Sequence, residues 1–178
     1  DQRHLLGIDW FPTLVSAAGN PDITKQLLDG ASIQGKEYKN HLDGFNQLDY
    51  LTGKTDASAR NSFVYFNDDN DIVGFRYENW KLVFEEQRET GTLAIWAEPF
   101  TKLRVPKMFD LRSDPYERAD ITSNTYYDWL IEHAYLVVPA QAYVADFLST
   151  FMDYPPAQRA ASFSIDQIQE SVMKQLNN

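Results

Sequence analysis

The chain is 178 residues long, 43% apolar and 14% aromatic, which describes a folded globular sequence with enough apolar mass for a core. It carries 26 acids against 16 bases, a net charge of -10, which argues against binding nucleic acid phosphates or a membrane through a basic patch. With no cysteine there is no disulfide, thiolate nucleophile or Cys-ligated zinc, and both cytoplasm and periplasm stay open as compartments.

The sequence opens on Asp1-Gln2-Arg3 without a charged-then-apolar leader, and an amphipathic pattern begins almost at once. That start is expected of a piece of a longer chain. Leu5, Leu6, Ile8, Phe11, Leu14, Val15 and Ala18 keep helical spacing, so a helix is expected over 8–18, with Asp9 and Pro12 in its first turn. Gly19-Asn20-Pro21 ends it. A short helical turn is expected over 22–28, and 31–52 reads as loop with short strands or single turns. The polar stretch 53–61 reads as a linker.

From 62 the hydrophobic period becomes two. Strands are expected at 62–66, 72–77, 80–84, 92–97 and 107–111. Asn67-Asp68-Asp69-Asn70-Asp71 makes a turn, and Glu78-Asn79 makes a two-residue hairpin with positive φ expected at Asn79. The segment 98–106, with prolines at both ends, reads as a loop. Short connections imply an antiparallel sheet.

Helical spacing returns over 125–151, with a kink or a division into two helices expected at Pro139. A further helix is expected over 165–176, with Ser164 and Gln167 as its capping pair. No apolar run approaches the ~20 residues that span a bilayer. The expected class is α+β: a small antiparallel sheet of about four strands, covered by a long Pro-kinked helix. The apolar stripe from Tyr127 to Phe151 is too wide for a lone surface helix, which leaves core packing or pairing with a partner or second copy.

Three segments carry candidate chemistry. Asn67, Asp69, Asp71 and Glu78 have the 1, 3, 5, 12 spacing of a calcium loop, but Ile72 stands where that loop needs glycine. A strand after Asp71 also pulls Glu78 away, so a solvated hairpin tip is the expectation. His4, His41 and His133 show no zinc-ligand spacing. Finally, Phe109-Asp110-Leu111-Arg112-Ser113-Asp114-Pro115-Tyr116-Glu117-Arg118-Ala119-Asp120-Ile121 reads as a strand running into a tight polar turn.

This last segment resembles the C-terminal signature of type I sulfatases, through Phe109-Asp110-Leu111, Asp114-Pro115, Glu117 and Asp120-Ile121. Phe75-Arg76-Tyr77 with Trp80-Lys81-Leu82 resembles the family's arginine strand and its W-K-L/V turn. Asp9-Trp10-Phe11-Pro12-Thr13-Leu14 with Ala17-Ala18-Gly19 resembles its D-x-x-P-T-L…A-G helix. Leu28-Asp29-Gly30 and Leu42-Asp43-Gly44 both look like the L-D-G segment that follows. Four such segments in the right order make the chain similar to the bacterial arylsulfatases of the alkaline phosphatase superfamily.

The resemblance implies that 1–53 ends a larger α/β catalytic domain and that 54–178 is the C-terminal sulfatase subdomain. It implies a parent that hydrolyses sulfate monoesters with a formylglycine and a calcium ion; phosphonate monoester hydrolases share the signature. The formylglycine motif C/S-x-P-x-R is absent from this chain. Its near-miss, Ser113-x-Pro115-x-Glu117-Arg118, has an acid where the cation belongs. No catalytic residue and no metal ligand carries over, so the chain alone is expected to be inactive and to work with the upstream catalytic domain on a small sulfate ester. On that frame His41, beside the Asp43-Gly44 turn, and Trp96, Phe100 and Arg104, on or near the proline-bounded loop, are expected at the substrate rim. The rival readings are a non-catalytic interaction or dimerisation module, working through the long helix, and a calcium-binding domain.

Overall fold

The computed structural model describes residues 4–91 and 93–155. The expected helix over 165–176 lies outside them. The chain is α+β, with a two-stranded and a four-stranded antiparallel sheet. It divides into two compact units. Among the described residues, the first holds 4–63 with Arg76–Lys81 and Phe109–Ser123; the second holds Val64–Phe75, the described part of Leu82–Met108, and 124–155.

In the first unit, a 3-10 turn over Gly7–Asp9 leads into α1 (Trp10–Ala17), followed by α2 (Ile23–Asp29). Strands β1 (Ala31–Ile33) and β2 (Lys36–Tyr38) pair with Ala31 opposite Tyr38 and Ile33 opposite Lys36. Their two-residue loop, Gln34-Gly35, has positive φ at both positions, the geometry that matches strand twist in a tight hairpin. A single turn, α3 (Leu48–Leu51), follows. Ile23 and Leu27 are buried beside the sequestered Asp9, Pro12, Thr13 and Gln47, so this core is unusually polar.

The larger sheet has the order β3 (Ser62–Phe66), β4 (Ile72–Tyr77), β5 (Trp80–Glu86), β6 (Thr101–Asp110). At the β3–β4 turn the Asn67 side-chain oxygen accepts the N–H groups of Asp69 and Asp71. At the β4–β5 turn the left-handed residue is Glu78, at φ 49°, and not Asn79. Asn79 is held differently: its amide donates to Asp110 at 2.6 Å and its carbonyl accepts Leu111 N–H at 2.7 Å.

Two sequence expectations fail between β5 and β6. The stretch expected as a strand over 92–97 contains a 3-10 helix, Leu93–Trp96. The Gln87 side chain ties this turn down by donating to the carbonyls of Ile95 and Glu98. The expected loop over 98–106 is largely strand, because β6 starts at Thr101. Pro106 is tolerated there because β6 is an edge strand with one side of its ladder open.

After the short α4 (Ala119–Thr122) the long helical run is divided into α5 (Tyr126–Glu132), a 3-10 turn over Ala134–Leu136, and α6 (Val137–Ser149). The break precedes Pro139, which sits in the first turn of α6, where no intrahelical donor is needed. Helix α6 covers the sheet: Phe147 meets Phe66 with ring centroids 5.9 Å apart, and Tyr143 stacks on Phe75 at 5.7 Å. The second unit's core is Phe75, Leu82, Met108, Tyr126, Leu130 and Ala140. Gly74 lies where a Cβ would come within 2.9 Å of the Leu82 carbonyl, so this strand crossing excludes a side chain. The Tyr126 hydroxyl bonds both the N–H and the carbonyl of Met108, each at 3.0 Å, and satisfies backbone groups on the edge strand.

Candidate functional site

The first unit is organised around Asp9, which is 0% exposed. Arg60 enters from the irregular stretch before β3 and meets both carboxylate oxygens: Nη2 lies 2.7 Å from Oδ1 and Nε 3.0 Å from Oδ2. The same carboxylate accepts the N–H groups of Leu6 at 3.0 Å and Phe45 at 2.9 Å. Arg60 also donates to the Asp43 carbonyl at 2.7 Å and lies over the Phe45 ring, 4.6 Å from its centroid. A buried ion pair is sustained only when its remaining donors and acceptors are met, and here four groups meet one carboxylate. Burial pushes the Asp9 carboxyl up, but the Arg60 hydrogen bonds, the Leu6 and Phe45 N–H groups and the Arg60 charge outweigh it and hold it below the usual carboxylate range.

The surrounding contacts are equally specific. The Thr13 hydroxyl donates to the Asp9 carbonyl at 2.6 Å and accepts Gln47 N–H at 2.9 Å. The Gln47 side-chain oxygen accepts from Ser58 Oγ and Ala59 N–H. Gly44 lies so close to the start of α1 that a Cβ there would be 2.2 Å from the Ile8 carbonyl oxygen. The stretch expected as a linker is therefore pinned at Ser58, Ala59 and Arg60. Buried and fully bonded, Asp9 has no open oxygen for a substrate proton or a metal; it clamps three segments together.

A second cluster lies at the Asp110–Glu117 turn. Lys81 Nζ is 2.7 Å from both Glu117 oxygens, and Glu117 takes a left-handed φ of 54°. Asp114 accepts the N–H groups of Arg118 at 3.0 Å and Ala119 at 2.8 Å, which starts α4. Burial raises the Asp110 carboxyl, but bonds from Asn79, Arg112 N–H and Ser113 and the Arg112 charge leave it lowered overall. The Ser113 hydroxyl is bonded to the Asp110 carbonyl at 3.2 Å and carboxylate at 3.1 Å, a turn-closing role.

Of the rim candidates, His41 lies in the first unit, with Nδ1 3.4 Å from Asp43 Oδ1. Trp96, Phe100 and Arg104 lie in the second. Trp96 ends the 3-10 helix at 77% exposure, Phe100 is half-buried just before β6, and Arg104 is exposed on β6. Lys107, on the same strand, pairs with Glu86 at 2.6 Å.

Sequence reasoning missed three polar groups. Arg60 and Gln47 are bound by residues far away in sequence, and the only hint was that Arg60 is the single base between Lys54 and Arg76. Glu85 is buried on β5, and its carboxyl is raised by burial first and then by the Asp71 charge, with Lys102 opposing at 3.8 Å. Among the described residues no group of three or more His, Asp or Glu side chains is placed to hold a metal ion. Among the described residues no helix is long and apolar enough to cross a membrane. Comparison with protein-family models and with curated proteins gives no match.

Proposed function

We propose that this chain is the supporting, C-terminal part of a sulfate monoester hydrolase of the type I sulfatase kind, bracing an active centre supplied by polypeptide upstream. One observation supports this reading most. The residues on which the resemblance rests are those that fasten the first unit together. Asp9 and Pro12 of the helix segment meet Asp43 and Gly44 of the L-D-G segment, through Arg60 and through close backbone packing. Lys81 of the W-K-L segment meets Glu117 of the D-P-x-E segment. Asn79, beside the former, meets Asp110 of the latter. Segments this far apart in sequence are kept in register by charge-assisted bonds, which are the strong and directional ones.

On this reading the chain supplies shape and rigidity, and Trp96, Phe100 and Arg104 of the second unit are proposed for a rim that meets an aryl sulfate. The chemistry of sulfate transfer belongs to the calcium and formylglycine of the parent. The test is hydrolysis of p-nitrophenyl sulfate. The 178-residue chain should give no turnover above a heat-killed control, while the product of the whole gene should cleave it faster than a phenyl phosphonate ester. Turnover by the isolated chain, or a preference for phosphonate in the whole product, contradicts the proposal in its first or second part respectively.

A further inference from the structure

Helix α1 turns its polar side inward and its apolar side outward. Pro12, Thr13 and Ser16 are buried, whereas Trp10, Phe11 and Leu14 are 44%, 50% and 59% exposed, and Ala17 is exposed with them. At 3.6 residues per turn, the four outward residues fill one arc of roughly 120° on a single unbroken helix, away from the buried three. The inward side is already occupied: the Thr13 hydroxyl joins the Asp9 carbonyl to Gln47 N–H, and Pro12 packs beside Gly44. No residue from Trp10 to Pro21 is charged. A helix that faces water carries polar or charged residues on its outer side, and α1 has none there, which is the composition of a helix covered on both sides.

Single exposed apolar residues need no explanation, but three large ones side by side on an uncharged helix face mark a contact surface. We infer that this face of α1 is the seam on which the upstream part of the same polypeptide packs, through an apolar, uncharged surface of its own. The inference rests on the reading above and names the residues that receive the upstream domain. Size, charge and position select this occupant. The three large side chains leave on the order of 300 Å² open, well short of the ~800 Å² per side that a specific complex of free proteins buries. A second copy would also bring together two chains of charge -10, with no charge on the face to offset the repulsion. The face begins nine residues after Asp1, so a segment joined there meets it at the effective concentration of a short tether and needs far less area to stay docked.

The test sets the whole gene product beside the 178-residue chain. Acrylamide quenching of tryptophan fluorescence, compared between each protein and its Trp10→Phe variant, isolates the Trp10 contribution. That contribution should be quenched in the 178-residue chain and protected in the whole product. Leu14→Glu should leave the thermal midpoint of the 178-residue chain within about 2 °C, since the site is already open to water, and lower that of the whole product by several degrees. Where far-ultraviolet circular dichroism shows that the charged variant does not fold, Leu14→Gln takes its place. Equal quenching of Trp10 in the two proteins, or a whole-product midpoint indifferent to the Leu14 variants, overturns the seam. So does a whole product that dimerises in sedimentation and becomes monomeric on Leu14→Glu, because the occupant is then a second copy. The two readings fail separately. A whole product that protects Trp10 but cleaves no sulfate ester removes the sulfatase reading alone, and one that cleaves the ester with Trp10 open to quencher removes the seam alone.

Discussion

Replacing Asp9 by Asn should be among the most damaging single changes in this chain. The substitution preserves size but removes the charge that faces the Arg60 guanidinium, whose side chain is 5% exposed. It also turns an NH2 toward donors that the carboxylate accepts, the N–H groups of Leu6 and Phe45 and the Arg60 fork. Breaking a buried ion pair from one side costs about 3–5 kcal/mol, because a buried charge is left uncompensated. Against a total stability of roughly 5–15 kcal/mol for a domain, that is a large fraction. Urea denaturation followed by tryptophan fluorescence is the assay, and Arg60→Met should lose a similar amount. The double variant Asp9→Leu, Arg60→Met should cost clearly less than the sum of the two single changes, since no unpaired charge remains buried. The pH dependence has a definite sign. The folded-state pKa of Asp9 is lowered relative to the unfolded chain, so its contribution is fully present above the unfolded value near ~3.9 and is lost as pH falls through the folded value. Single variants that cost under about 1 kcal/mol, or costs that simply add in the double, would refute the clamp.

Three further changes probe separate parts of the fold. Gly44→Ala should destabilise by about 3 kcal/mol or prevent folding, because its Cβ would meet the Ile8 carbonyl, a backbone atom that cannot swing aside; thermal melting measures this. Tyr126→Phe should cost about 1–3 kcal/mol in urea titrations, since it strips the partner from two buried backbone groups of Met108. His4 is buried with Nε2 unpartnered, and its pKa is lowered first by burial and then by the Arg76 charge, against the opposing pull of Glu78. The unfolded chain therefore takes up this proton first, and stability should fall as pH drops from about 6.5 toward the folded value, by up to ~1.4 kcal/mol per pH unit. His4→Phe should flatten that window in urea midpoints measured between pH 5 and 7.

The strands at 62–66, 72–77 and from 80 onward were legible because alternation of large apolar residues is a local signal, and the structure has them. The helix over 8–18 was legible from its helical spacing, and a division of 125–151 from Pro139, although the break falls at 133–136 and leaves the proline in the first turn of α6. What alternation could not reveal was tolerance: prolines 99 and 106 look like loop markers, yet an open edge admits Pro106 within β6. Nor could local pattern choose between Glu78 and Asn79 for the left-handed turn position, because Asn79 is claimed by Asp110, which is 31 residues away. Asp9 read as a helix-dipole acid, and its true partner, Arg60, is 51 residues further on. Such a pair leaves no periodicity. Of the rim candidates read from a loop, Trp96 lies at the end of a 3-10 helix and Arg104 on β6, and the polar centre of the first unit became visible only with tertiary contacts.

The central claim is that these residues hold up an active centre made elsewhere in one longer polypeptide. Sequencing the gene upstream of the codon for Asp1 tests it most directly. The account predicts an open reading frame that continues for a few hundred codons and encodes C/S-x-P-x-R together with a set of aspartates suited to calcium. A frame that begins at this chain, or one that runs upstream without that motif, would contradict it.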